Sequence, residues 1–237
     1  MHRALDHAAA FVVPSRLVAH DLTAGGVERA RMVIVAPGAD HLAAPDPAGT
    51  DAMLARLGVS GEFLLTVGTL EPRKNIERLV LAYGRVRRSL PRPWPLVIVG
   101  PTGWGRQPTR AIASSGAVLA GAVPAAVLSE LYRRARAFAY VPLTEGYGLP
   151  PLEAMRMGTP TAVAREVPSV HDLDGPQRVP ARLVDPLDVD DIAAGLLEVL
   201  TDDELRSDLT GRGGTYARER TWRATAEAHV QLWRSLQ

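Results

Sequence analysis

Two loops carry residues whose types and spacing suit a phosphorylated, hydroxyl-rich ligand. The first, Gly68-Thr69-Leu70-Glu71-Pro72-Arg73-Lys74-Asn75, follows an apolar run and leads into a helical pattern. Arg73 and Lys74 therefore sit together at a helix start, where the macrodipole disfavours positive charge. An anion spanning both side chains accounts for that placement; solvated surface cations are the plainer alternative. Lys74 is also the only lysine among 27 basic residues, in a chain whose other cations are all arginine. A compact ammonium kept against that bias suits a point-charge contact better than a planar guanidinium does, or it marks a tolerant surface position.

The second loop is Pro142-Leu143-Thr144-Glu145-Gly146-Tyr147-Gly148-Leu149-Pro150-Pro151-Leu152-Glu153. Gly146 and Gly148 allow close backbone approach and unusual dihedrals. Pro150 and Pro151 fit the first turn of a helix and offer no N–H. The amides of Gly146, Tyr147, Gly148 and Leu149 are then the ones that can cradle phosphate oxygens. Glu145 opens the loop, and Glu153 follows after seven intervening residues. An ionised carboxylate only accepts hydrogen bonds, which suits the hydroxyls of a sugar. Near a helix start it can equally complement the dipole.

Both loops need a frame, and the hydrophobic pattern supplies one. Short apolar runs predict strands over 10–13, 32–35, 63–67, 96–99, 117–120, 137–141, 161–164 and 183–184. Their hydrophobicity is continuous rather than alternating, as for strands buried on both faces. Helical patterns lie between them over 75–89, 125–134, 151–157 and 189–200. In the first of these, Ile76, Leu79, Val80 and Tyr83 form one stripe opposite arginines. The fold class predicted is α/β, a doubly wound parallel sheet of Rossmann-like type. In such sheets ligands bind beyond the carboxyl ends of the strands, where both loops fall.

Residues 37–50, rich in Pro, Ala and Gly, read as a linker between a leading unit (1–36) and a main domain (51–220). A last helix is expected over 221–237, with Trp222 and Trp233 available for packing. The leading unit holds too few elements for a core of its own.

Composition narrows the function classes. With no cysteine, disulfide, thiolate-metal and cysteine-nucleophile chemistry are excluded. The six histidines are scattered without metal-ligand spacing. A net charge of +1 provides no field to gather nucleic acid. No apolar run has the length of a membrane span, and the first residues lack a signal-peptide layout. The expected location is cytoplasmic, with a peripheral position at the inner face of the membrane compatible. No strand leads into GxGxxG, and GPTGWG has the wrong spacing, which counts against a nicotinamide dehydrogenase; the P-loop pattern is absent too.

The stretch EGYGLPPLEAMRMGTP closely resembles the E-x7-E signature of retaining glycosyltransferases of family 4, which have the GT-B fold. VGTLEPRKN is similar to that family's donor-phosphate loop, and LVIVGPTGWG to its following strand and turn. LAGAVPAAVLSELYRRARAFAY also fits the family's order, and the resemblance runs from about residue 8 to 222. It implies the C-terminal, donor-binding half of such an enzyme, using a nucleotide-diphosphate sugar as donor and needing no further cofactor. Arg73 and Lys74 would contact the diphosphate and stabilise the leaving group, with Glu145 near the donor sugar's hydroxyls. Gly68 would belong to the phosphate loop, and Gly146, Tyr147, Gly148 and Leu149 would offer amides. Glu153 would bind the ribose hydroxyls, and backbone at Ala122 and Val123 would face the base.

The resemblance also implies no metal. The DxD triplets at Asp188–Asp190 and Asp172–Asp174 fall outside the expected site, as helix caps or flanks. The family's Pro-Glu appears here as His171-Asp172. Residues 1–36 match only the last pieces of the family's acceptor domain. The acceptor (a glycan, lipid or small molecule) would then be handled by a complementary N-terminal-domain polypeptide, and the chain would be inactive alone. The competing expectation is a non-catalytic nucleotide-sugar-binding or interaction module.

Overall fold

The computed structural model describes residues 7–105, 108–171 and 179–237. Six apolar runs form one parallel sheet: β3 (Leu64–Val67), β4 (Leu96–Val99), β5 (Val118–Gly121), β6 (Ala137–Tyr140), β7 (Thr161–Ala164) and β8 (Arg182–Val184). The strand order is β5-β4-β3-β6-β7-β8, and every pairing in it is parallel. Strands β4, β6 and β7 are buried along their whole length, which is why they read as unbroken apolar runs. The doubly wound α/β class expected from the sequence is the observed one.

The chain builds outward from β3 through β4 to β5, then returns to the other side of β3 for β6, β7 and β8. Strands β3 and β6 are therefore neighbours whose connections run in opposite directions. A crevice opens at such a switch point. The two loops picked out in the sequence leave the carboxyl ends of these two strands.

Helix α3 (Ile76–Ser89) follows the β3 loop and buries Ile76, Leu79, Val80, Tyr83 and Val86. The Tyr83 hydroxyl, carried into the core by this stripe, donates to the Trp94 carbonyl at 3.0 Å. Each fully buried leucine on such a face contributes about 1.5–3 kcal/mol. Helix α5 (Ala125–Arg134) occupies the predicted residues. Helix α6 (Leu149–Arg156) starts two residues before the sequence pattern suggests, because Gly148 (φ 93°) turns the chain immediately ahead of it. Helix α3 likewise starts one residue late, after Asn75 at φ 57°. Helix α4 (Thr109–Ser115) is short and was not anticipated; it stops at Gly116 (φ 74°).

Residues 47–50, expected in a linker, form the first turn of helix α2 (Pro47–Arg56). Asp46 caps that helix through the Gly49 amide at 2.9 Å, and Pro47 takes the first helical position, where its missing N–H is harmless. The leading residues form a separate two-stranded parallel sheet, β1 (Phe11–Val13) with β2 (Met32–Ile34). With helix α1 (Arg16–Ala24) they close over a small cluster of Val13, Ala19, Val27 and Met32. The N-cap of α1, Ser15, donates to the Gly146 carbonyl at 2.7 Å, joining this unit to the second loop.

A short helix, α7 (Pro168–His171), follows β7, and after β8 the chain is helical, in α8 (Val189–Thr201), α9 (Asp203–Arg218) and α10 (Trp222–Ser235). The start of α10 is stitched to the segment before α2. Ala39 N donates to Arg220 O at 3.0 Å, and Thr225 Oγ1 donates to Ala36 O at 2.8 Å. A Cβ on Gly38 would lie 2.1 Å from Trp222 N, so only glycine permits this approach. Trp233 keeps 61% of its surface exposed, and Trp222 43%.

Candidate functional site

The β3 loop is held rigid by its own backbone. Gly68 N donates to Val99 O at 2.9 Å, and Leu70 bridges to Thr102. A single 3-10 turn, Pro72–Lys74, then presents Arg73 and Lys74. Asn75 fixes where that turn points. Buried and left-handed, it donates its side-chain amide to Val141 O at 2.9 Å and Pro186 O at 2.7 Å. One amide thus ties together the chain leaving β3, β6 and β8. Asn75→Ala is expected to cost roughly 3 kcal/mol, because it strands two buried carbonyls and places a Cβ residue without local hydrogen bonding at positive φ. Urea unfolding midpoints measure this, and Asn75→Gly, which keeps the backbone but loses the amide, should fall between the two.

Arg73 and Lys74 converge on Glu145 from the neighbouring loop. Arg73 Nη1 lies 2.8 Å from Glu145 Oε1, and its Nη2 lies 2.6 Å from Glu71 Oε1. Lys74 Nζ bonds the same Glu145 Oε1 and donates to the Tyr140 hydroxyl at 3.0 Å. Tyr140 in turn donates to Glu145 Oε1 at 2.9 Å. The ammonium also sits 5.4 Å from the Tyr140 ring centroid, a cation–π distance. Burial opposes the charge on Arg73, but the fields of Glu145 and Glu71 and their hydrogen bonds outweigh it, so its pKa is raised. Burial, then the Glu145 charge and hydrogen bond, push Tyr140 far above the usual phenol range. Tyr140 therefore remains a donor.

The Gly146–Leu149 stretch leads from Glu145 into α6, whose start has no side-chain cap. Ser169 N donates to Tyr147 O at 2.8 Å and fixes the loop from behind. Gly148 needs to be glycine: at φ 93° a Cβ would lie 2.5 Å from Val167 Cγ1. Gly146 does not, since a Cβ there would meet nothing closer than Val18 Cγ2 at 3.8 Å.

Glu153 projects from the second turn of α6 with 11% of its side chain exposed. Its Oε2 accepts from the Tyr132 hydroxyl at 2.8 Å, and its Oε1 lies 3.1 Å from His41 Nε2. After burial and Glu145, the Glu153 charge also helps to hold the Tyr140 pKa up. Ala122 and Val123 follow β5, the edge strand two places from β3. They lie on the carboxyl side of the sheet, like the two loops.

Among the described residues, no group of three His, Asp or Glu side chains is placed to hold a metal ion. Asp188 caps α8 through the amides of Asp190 and Asp191, and Asp190 pairs with Arg85. That is the capping role expected of this triplet. Asp172 and Asp174 lie outside the described residues. No described helix is long and apolar enough to cross a membrane.

Sequence reasoning passed over Tyr140, Tyr132, Glu71, Asn75 and His41. Tyr140 ends a buried strand and Tyr132 lies on a helix stripe, so both read as core, and nothing local marks their hydroxyls.

Fold and site together define a Rossmann-like α/β domain with charged loops at its switch point, and comparison with known proteins gives its family. The chain belongs to the group 1 glycosyl transferases, whose family model matches residues 56–215. It is 35% identical over 179 residues to the O-antigen chain mannosyltransferase B of Escherichia coli, covering 73% of this chain and 46% of that protein. It is 32% identical over 232 residues to the D-inositol 3-phosphate glycosyltransferase of Kineococcus radiotolerans, covering 88% of this chain and 53% of that one. The chain thus spans about half the length of these curated relatives. Among solved structures, Anabaena HepE in complex with UDP and glucose superposes with a TM-score of 0.82 at 17% identity. That match covers 99% of this chain and 65% of HepE. It establishes a GT-B type of fold for the chain.

Proposed function

We propose that this chain grips the diphosphate of a nucleotide-sugar and supplies the donor-binding half of a retaining, family 4 glycosyl transfer. The observation that carries the reading is the convergence of Arg73, Lys74 and Glu145 beside the uncapped start of α6 at the sheet's switch point. Two cations and a helix N-terminus facing one crevice favour an anion. Transfer through an oxocarbenium-like state builds charge on the departing diphosphate, and fixed cations stabilise it more there than in the ground state. Arg73 and Lys74 take that role. Glu145, now neutralising them, turns toward the donor sugar's hydroxyls when the diphosphate arrives. Gly68 and Gly146–Leu149 line the phosphates, Glu153 holds the ribose, and the backbone at Ala122 and Val123 meets the base.

No metal or other cofactor is needed in this scheme, since the protein's own cations neutralise the leaving group. The UDP bound by HepE supports a nucleotide-sugar ligand, and the Escherichia coli relatives named as mannosyltransferases favour a mannosyl donor. The acceptor (glycan, lipid or small molecule) is engaged by a complementary domain or polypeptide, without which turnover is negligible. The whole acts in the cytoplasm or at the inner face of the membrane. The test is calorimetric titration of the chain with UDP, GDP, ADP and their sugar conjugates in the absence of metal. Saturable binding that favours one base is expected. A folded chain that binds none of them would overturn the donor reading and leave an interaction module.

A further inference from the structure

We infer that His41 is a positioning residue for Glu153, holding that carboxylate ready for the vicinal diol of the nucleoside ribose. The inference rests on the donor reading above and adds to it residues remote in sequence from either loop.

The hydrogen bonds assign the histidine's chemistry. Trp222 Nε1 lies 3.1 Å from His41 Nδ1. An indole N–H can only donate, so Nδ1 accepts and the ring proton sits on Nε2. That proton points at Glu153 Oε1, 3.1 Å away. On the other side the wholly buried Tyr132 hydroxyl donates to Oε2 at 2.8 Å. Burial, reinforced by the Glu153 charge, raises the Tyr132 pKa well above its ordinary value, so this donor is permanent. Each carboxylate oxygen is thereby fixed by one protein donor. Each also keeps acceptor capacity, since an ionised carboxylate has about four lone-pair sites in all. A carboxylate whose plane is set at both oxygens is preorganised for two adjacent hydroxyls.

The support behind His41 is itself anchored. Trp222 N donates to the neighbouring Asp40 Oδ1 at 2.7 Å. The His41 and Trp222 rings meet edge-on at 6.0 Å and 75°. Residues 36–41 and the start of α10 therefore act as one brace on the ribose end of the site. The plainer role for His41 is a tie that merely fastens this segment to α6, and it predicts no dependence on the ribose hydroxyls.

The experiment compares the full chain and its variants with the nucleoside diphosphate it binds best, the 2′-deoxy analogue and inorganic pyrophosphate. The parent chain should prefer the ribonucleotide by about tenfold or more, the size of a hydrogen bond to a charged group. His41→Ala should reduce that preference to about twofold while leaving pyrophosphate affinity unchanged, and His41→Gln, whose amide can donate to Glu153, should restore most of it. A ribose preference that survives in His41→Ala overturns this inference and leaves the donor reading standing. A parent chain that binds no nucleotide overturns both. Should His41→Ala melt out, Trp222→Phe removes the indole donor but keeps the ring; an unchanged ribose preference there overturns the inference equally.

Discussion

Replacing Lys74 with alanine is expected to weaken binding of a nucleoside diphosphate by about 10–150-fold, the worth of one hydrogen bond to a charged group at roughly 1.5–3 kcal/mol. Lys74 has only 14% of its side chain exposed, so little solvent screening discounts the contact. Its ammonium is aimed by two partners, Glu145 Oε1 and the Tyr140 hydroxyl, and its stem packs along Gly68. Lys74→Arg should recover little of the loss. A planar five-donor guanidinium cannot occupy a point-charge position against an aromatic face and a glycine without moving one of them. Calorimetry with folded variants decides. Parental affinity in Lys74→Ala removes this residue from the site, and parental affinity in Lys74→Arg removes the argument from its shape.

Gly148→Ala carries the second large effect, and here stability and binding fall together. A left-handed backbone costs a residue with a Cβ about 1–2 kcal/mol. The new methyl would also stand 2.5 Å from the buried Val167 and 3.2 Å from Ser169 Oγ, and overpacking of this kind costs about 1–3 kcal/mol. A loss of roughly 2–5 kcal/mol is expected from the two costs together, read from urea midpoints. Relief of the clash moves the loop proposed to meet the phosphates, so affinity for a nucleoside diphosphate should drop as well. Gly146→Ala is the control. With its nearest neighbour at 3.8 Å, it should change stability by no more than about 0.5 kcal/mol. Equal losses in the two variants would show that the loop is not built as described.

That pair of glycines shows how far the sequence reaches. Both read alike in EGYGLPP, as places where backbone approaches closely, yet only Gly148 adopts positive φ. The distinction depends on Val167, which arrives from another strand's connection. The strands were legible because burial on both faces leaves an unbroken apolar run, as in Leu96–Val99 and Thr161–Ala164. The pairing of Arg73 and Lys74 with Glu145 was legible only as two loops belonging to one ligand; their direct contact required β3 and β6 to be neighbours. Tyr140, Tyr132 and His41 were illegible for a related reason. Their polar atoms find partners 66, 21 and 112 residues away, and nothing near them in sequence announces it. The first turn of α2, residues 47–50, was lost to its composition, since Pro and Gly read as breakers although Pro47 sits where proline is welcome.

The burial of Lys74 has a chemical corollary. In this chain the only ε-amine belongs to a residue wedged between a carboxylate and a phenol. Acylating or reductively alkylating reagents that spread over the surface of most proteins find here a single side-chain target. Whatever blocks that amine blocks the crevice, so the side-chain adduct, mapped apart from any on the α-amine, reports on the crevice without any engineered label.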